Sequence, residues 1–280
     1  MTANSRTLRQ TDTLFSQLFL LFLLFLLAWS SASSAQTKPQ RTDIGSEPVQ
    51  SVLWVGNSFF YYNNSMHSHV LQLVKAADAK TPARATSLTI SGSGIDWHDL
   101  DSYLRPDGIG KYSFVGDNEI VFNKPGRQFD TVIMMDCSQC PIHPQLKPVF
   151  HEYARKDSEI VAKSGARPVF FMSWAYKDKP EMTAALAEQY TLAGNSNNAL
   201  VIPAGLAFAN AISKRPELEL YQLDKRHPSL AGTYLAACTT YAAIYKKSPV
   251  GNTYTAGMEA ATAAFLQGVA METVREYYGK

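Results

Sequence analysis

The chain has 280 residues, 46% of them hydrophobic and 18% charged, with a formal net charge of +2. That balance excludes an intrinsically disordered chain, and the length suits one large domain with a sizeable core. No basic block occurs, which sets nucleic acid aside as a partner.

Arg6 and Arg9 lie in a polar leader. An unbroken apolar run follows from Leu18 to Trp29, then Ser30-Ser31-Ala32-Ser33-Ser34-Ala35. The run has about 12 residues, short of the roughly 20 that span a bilayer. A charged leader, a short apolar stretch and small residues at the cleavage position make residues 1–35 a secretory signal peptide, cut after Ala35. The expected location is secreted or periplasmic, with no membrane attachment after cleavage. Residues 36–49 are polar and read as a mature N-terminal tail, and 50–280 as the domain.

Val52 to Val55 is apolar and partly β-branched, as in a strand covered on both faces. Gly56 lets the backbone turn where that strand ends. Ser58 then stands at the carboxyl end of a strand, where open α/β sheets place their ligands. The spacing of Met66, Val70, Leu71 and Val74 predicts a helix over 64–77, with Asn63 or Asn64 as its N-cap. A second strand over 84–90 ends at Ser91-Gly92-Ser93-Gly94, and a short helix over 95–104 follows. Turn signals at Pro106-Asp107-Gly108 and Val115-Gly116-Asp117-Asn118 mark 105–129 as an insertion at the sheet rim, with a small hairpin of 111–115 and 119–123. Further strands are expected over 130–136, 167–173 and 199–202. Further helices are expected over 144–163, 181–193 with Gly194 as the stop, 206–214, 230–245 and 255–278. The helix over 230–245 carries an apolar face of Leu230, Tyr234, Cys238, Tyr241 and Tyr245. Strands alternating with helices imply an α/β fold with a central parallel sheet of about five strands.

Ser58 needs a base to become a nucleophile. The last loop before a helix reads Leu223-Asp224-Lys225-Arg226-His227-Pro228-Ser229. An acid three residues before a histidine can hold the imidazole Nδ1, leaving Nε2 to take a proton from serine. Ser229 can cap the helix that follows. Ser58, Asp224 and His227 are therefore a candidate triad.

These motifs resemble those of the SGNH hydrolases, also called the GDSL esterase/lipase superfamily. Val55-Gly56-Asn57-Ser58-Phe59 is similar to the first block, with Asn where Asp is usual. Asp224-x-x-His227-Pro228-Ser229, followed by Gly232-Thr233-Tyr234-Leu235, is similar to the last. The resemblance covers about residues 51–246. It implies a flavodoxin-like three-layer α/β/α sandwich, with Ser58 as nucleophile, His227 as base and Asp224 as orienting acid. It also implies hydrolysis of an ester without a metal or other cofactor. The second block supplies a glycine N–H to the oxyanion hole, and Gly92 and Gly94 both stand in its place. The third block usually supplies an Asn. Here the strand ends Met135-Asp136-Cys137-Ser138-Gln139, so Gln139 or Ser138 would stand in. The Ser58 N–H, at a helix N-terminus, is a further donor. Asn57, Trp97 and His98 are candidates for the pocket.

Other readings start from other residues. Without the third-block Asn, the same fold could serve as an inactive carbohydrate-binding or scaffolding protein. Cys137 and Cys140 form a C-x-x-C, to be read as a disulfide, as two thiols or as a thiol oxidoreductase centre; Cys238 sits on an apolar helix face. His67 and His69 point apart on one helix, and His98, His143 and His151 have no matching carboxylates, so no metal site is expected. There is no G-x-S-x-G elbow and no phosphate-binding G-x-x-x-x-G-K. The expected substrate is a small-molecule or polysaccharide ester, with removal of an acetyl group from a carbohydrate as the reaction that suits an exported enzyme.

Overall fold

The computed structural model describes residues 37–106, 108–109, 112–122 and 126–280. The strands are β1 (Ser51–Gly56), β2 (Arg84–Thr89), β3 (Tyr112–Gly116), β4 (Glu119–Phe122), β5 (Thr131–Met134), β6 (Arg167–Phe171) and β7 (Leu200–Ile202). The helices are α1 (Ser58–Tyr61), α2 (Met66–Ala77), α3 (Leu100–Leu104), α4 (Lys147–Lys163), α5 (Met182–Ser196), α6 (Ala204–Lys214), α7 (Leu230–Tyr245) and α8 (Ala260–Tyr278). The signal-peptide expectation falls outside the described residues. Among those described, no helix is long and apolar enough to cross a membrane.

β1 is buried at every position because it lies inside a parallel sheet of order β2-β1-β5-β6-β7. Val52 pairs with Ala85 on one side and Thr131 on the other. Alternation sends Val52 and Trp54 into one core, with α2, α6, α7 and α8, and Leu53 and Val55 into the other, with α4 and α5. With the antiparallel β3–β4 hairpin set aside, the strand order is the flavodoxin-like 2-1-3-4-5. The chain leaves β1 toward β2 and returns to β5 on β1's other side. The crevice therefore opens at the carboxyl ends of β1 and β5.

Several boundaries differ from the sequence expectation for identifiable reasons. The helix after Gly92–Gly94 splits into a 3-10 turn (Ile95–Trp97) and α3, because the Asp99 side chain accepts from the Ser102 N–H at 3.0 Å and restarts the helix. α2 begins at Met66; Asn63, Asn64 and Ser65 precede it with φ of 53°, 66° and 67°, so neither asparagine is its N-cap. α5 runs through Gly194, which serves close approach: a Cβ there would lie 2.4 Å from Val201 Cγ2. α8 starts after a turn in which Ala256 and Gly257 have φ of 54° and 76°. α7 is buried on nearly every side, not along one face, since its Ala, Gly and Thr residues let α2, α6 and α8 close around it. The stretch before β1 is no free tail. Ile44 is buried, Arg41 Nη1 donates to Asn198 O at 2.6 Å, and Lys246 Nζ donates to Gly45 O at 2.8 Å.

Candidate active site

β1 delivers Ser58 to the crevice through a single connecting residue, Asn57. Asn57 caps α1, its Oδ1 accepting the Phe59 N–H at 3.2 Å. Its Nδ2 donates to Ser93 O at 3.1 Å and Asp136 O at 3.2 Å. One buried side chain thus joins the loops that follow β1, β2 and β5. The Asn57 amide group spends both ends on backbone, so Asn57 braces the rim. Gly56 makes no left-handed turn; its missing Cβ admits the Phe60 ring, which a Cβ would meet at 2.9 Å. α1 is a single turn, so its dipole adds little at Ser58, although the Ser58 N–H has no partner among the described residues.

His227 comes from the loop before α7. Its Nε2 lies 2.8 Å from Ser58 Oγ, and its Nδ1 contacts Asp224 Oδ2. Asp224 Oδ1 accepts the N–H groups of Arg226 at 2.9 Å and His227 at 3.0 Å. Partial desolvation acts upward on the Asp224 carboxyl. The hydrogen bonds from the His227 side chain and from the Arg226 and His227 N–H groups outweigh it and hold the carboxyl at about 2. An ionised Asp224 accepts only, so Nδ1 carries the imidazole proton and Nε2 is left to accept from Ser58.

The surrounding fold fixes this geometry. The Tyr62 ring stacks on His227, with centroids 4.2 Å apart and planes 12° apart, and Phe59 meets it edge-on at 5.5 Å. Asn63 Nδ2 donates to Pro228 O at 2.9 Å and Thr233 Oγ1 at 2.8 Å, tying the segment after Ser58 to the histidine loop. Trp174 Nε1 donates to Arg226 O at 2.9 Å, and the Lys177 N–H to Lys225 O at 2.9 Å. Ser229 caps α7, accepting the Gly232 N–H at 3.2 Å. Sequence reasoning missed Tyr62, Asn63 and Trp174. The only signal was the aromatic run Phe59-Phe60-Tyr61-Tyr62 after the serine.

The two candidate oxyanion glycines differ. Gly92 is exposed with φ 72°, and its N–H has no partner among the described residues. Gly94 is buried against acids: a Cβ would lie 2.4 Å from Asp96 Oδ1 and 3.1 Å from Asp136 Oδ1. Ser138 Oγ is 2.6 Å from Tyr176 OH, whereas the exposed Gln139 side chain has no hydrogen bond among the described residues. His98 is buried, with Nε2 3.1 Å from Gly56 O and 3.1 Å from Ser93 Oγ. Burial lowers its pKa, so the neutral ring donates to the Gly56 carbonyl and buttresses β1 instead of facing a pocket. Trp97 is 60% exposed. Cys137 and Cys140 form a disulfide across the turn that carries Ser138 and Gln139. Cys137 adjoins the Asp136 carboxylate, which accepts its N–H at 2.7 Å, an anionic setting unlike that of a reactive thiolate. Cys238 is a free, buried cysteine.

Solved structures share this arrangement of strands and helices. A DUF4886 family protein of Bacteroides uniformis aligns with a TM-score of 0.55 at 17% identity, over 81% of this chain and 95% of its own. A candidate GDSL-like lipase of Parabacteroides merdae aligns at 0.54 and 14% identity, over 73% and 100%. A candidate SGNH hydrolase of Slackia heliotrinireducens aligns at 0.53 and 22% identity, over 70% and 98%. The fold is that of the SGNH hydrolases. No family model matches the sequence, and no curated protein matches it. At these identities the SGNH likeness concerns the fold, and the chemistry rests on the residues of this chain.

Proposed function

We propose that the protein is an exported serine ester hydrolase working through Ser58, His227 and Asp224. The observation that carries this reading is the 2.8 Å contact between Ser58 Oγ and a histidine nitrogen that Asp224 leaves unprotonated. Ser58 Oγ attacks the ester carbonyl as His227 Nε2 takes its proton. The imidazolium, paired with Asp224, returns that proton to the leaving alcohol. Water, activated by the same nitrogen, then releases the acyl group. Gly92 N–H, Ser58 N–H and the Gln139 amide are the donors for the oxyanion; their support is that each is without a partner among the described residues. The substrate we assign is an acyl ester of a carbohydrate, in keeping with the expected export and the open crevice.

A fluorophosphonate probe tests the reaction. Wild-type protein should be labelled once, at Ser58, and Ser58→Ala and His227→Ala should not be labelled. Folded wild-type protein that resists the probe would overturn the hydrolase reading.

A further inference from the structure

A cleft of about 450 Å³ lies between the segment after β6, helix α6 and the chain leading to the histidine loop. None of the triad residues lines it. Its walls are chiefly apolar: Tyr176, Phe208, Ile212, Leu218 and Tyr221. The walls are pinned. Gly205 lets α6 lie tight on the chain after β6, where a Cβ would come 2.2 Å from Ser173 O. Tyr221 OH donates to Ala175 O at 2.8 Å, and Ser229 Oγ to Glu219 O at 2.8 Å. A cleft held open in this way is preformed, as ligand sites usually are.

We propose that this cleft is a second ligand site, for a small uncharged molecule with an apolar body and a single hydroxyl, such as a medium-chain alcohol. Lys177 and Glu219 pair with each other at its edge and leave no net charge to hold an ion. Thr183 and Ser213 also line it and offer hydroxyls to a polar head. The volume is roughly three times that of an apolar cavity of about 150 Å³ that takes up benzene, which leaves room for a body of about eight carbons. The site is also joined to the triad. Phe208 stacks on Trp174 at 4.3 Å, Trp174 on Phe59 at 4.6 Å, and Phe59 meets His227.

Titration of the purified protein with 1-octanol, followed by calorimetry, tests the assignment. Wild type should bind one equivalent saturably. Ala209→Trp, which fills the cleft from α6, should weaken binding at least tenfold while keeping the wild-type circular dichroism. Ile212→Trp serves as an independent filling variant should Ala209→Trp fail to fold. Ser58→Ala should bind octanol as wild type does, so the result does not depend on the hydrolase reading. Absence of saturable binding would overturn the site. So would undiminished binding in a folded filling variant, or loss of binding in Ser58→Ala, which would put octanol at the triad.

Discussion

Asn57 shows what one atom decides. Its Nδ2 gives hydrogen bonds to two carbonyls that a carboxylate would repel. Asn57→Asp should therefore destabilise the fold by about 1–3 kcal/mol. The loss should be larger at pH 8 than at pH 5, where a buried carboxyl is more readily protonated; thermal melts at the two pH values check this. Asp136 makes the opposite case. Desolvation, against hydrogen bonds from the Ile95 and Cys137 N–H groups, raises its carboxyl from the ordinary 3.8 to about 6. Between those values the folded protein holds a proton that the unfolded chain has released, so stability falls as pH rises through that window. Asp136→Asn should remove this slope and gain on the order of 2 kcal/mol relative to wild type between pH 4 and 7, measured by urea melts. Asp157, raised to about 7 by burial, keeps its own, larger slope in both proteins, so the comparison of the two isolates the Asp136 contribution. Ser58 and the Asp224–His227 pair were legible because each lies in a short local motif, and the fold brings the three side chains together across 169 positions. Asn57 and His98 looked like pocket residues because nothing local reveals that their partners are backbone groups 36 and 42 positions away.

At the scale of elements, the connection between α1 and α2 does more than its length suggests. Asn63, Asn64 and Ser65 all hold left-handed backbone, which side-chain-bearing residues adopt only when something compensates. The compensation at Asn63 is its pair of hydrogen bonds to Pro228 and Thr233. Asn63→Gly keeps the backbone and loses the bonds. It should lower kcat/KM for a phenyl ester about tenfold and stability by about 1–2 kcal/mol. Asn63→Ala should cost about 1 kcal/mol more, from strain alone. Steady-state kinetics and denaturant melts on the pair separate the two contributions. Periodicity found every strand of the main sheet and most helices, because buried β-branched runs and helical spacing are local signals. It misplaced the ends of α2, α5 and α8, where turn conformations and a close helix–strand approach decide. It also gave α7 one apolar face, since small residues conceal how fully a helix can be enclosed.

For the whole molecule, alternation of strands and helices was enough to read a parallel three-layer sheet, and the order of the two motifs was enough to place both at one rim. The long-range ties were beyond that reading. The segment at 37–49 looked polar and loose, yet it crosses to the turns after α5 and α7. The aromatic stack from His227 to the cleft joins residues from four separate stretches of chain. The most direct test of the proposed Ser58–His227–Asp224 triad is a double-mutant cycle on hydrolysis of p-nitrophenyl acetate. Ser58→Ala and His227→Ala should each lower kcat/KM by roughly 1,000-fold or more, and the double variant should fall no further, because the two residues act as a unit. Wild-type hydrolysis no faster than buffer, or losses that multiply in the double variant, would contradict it.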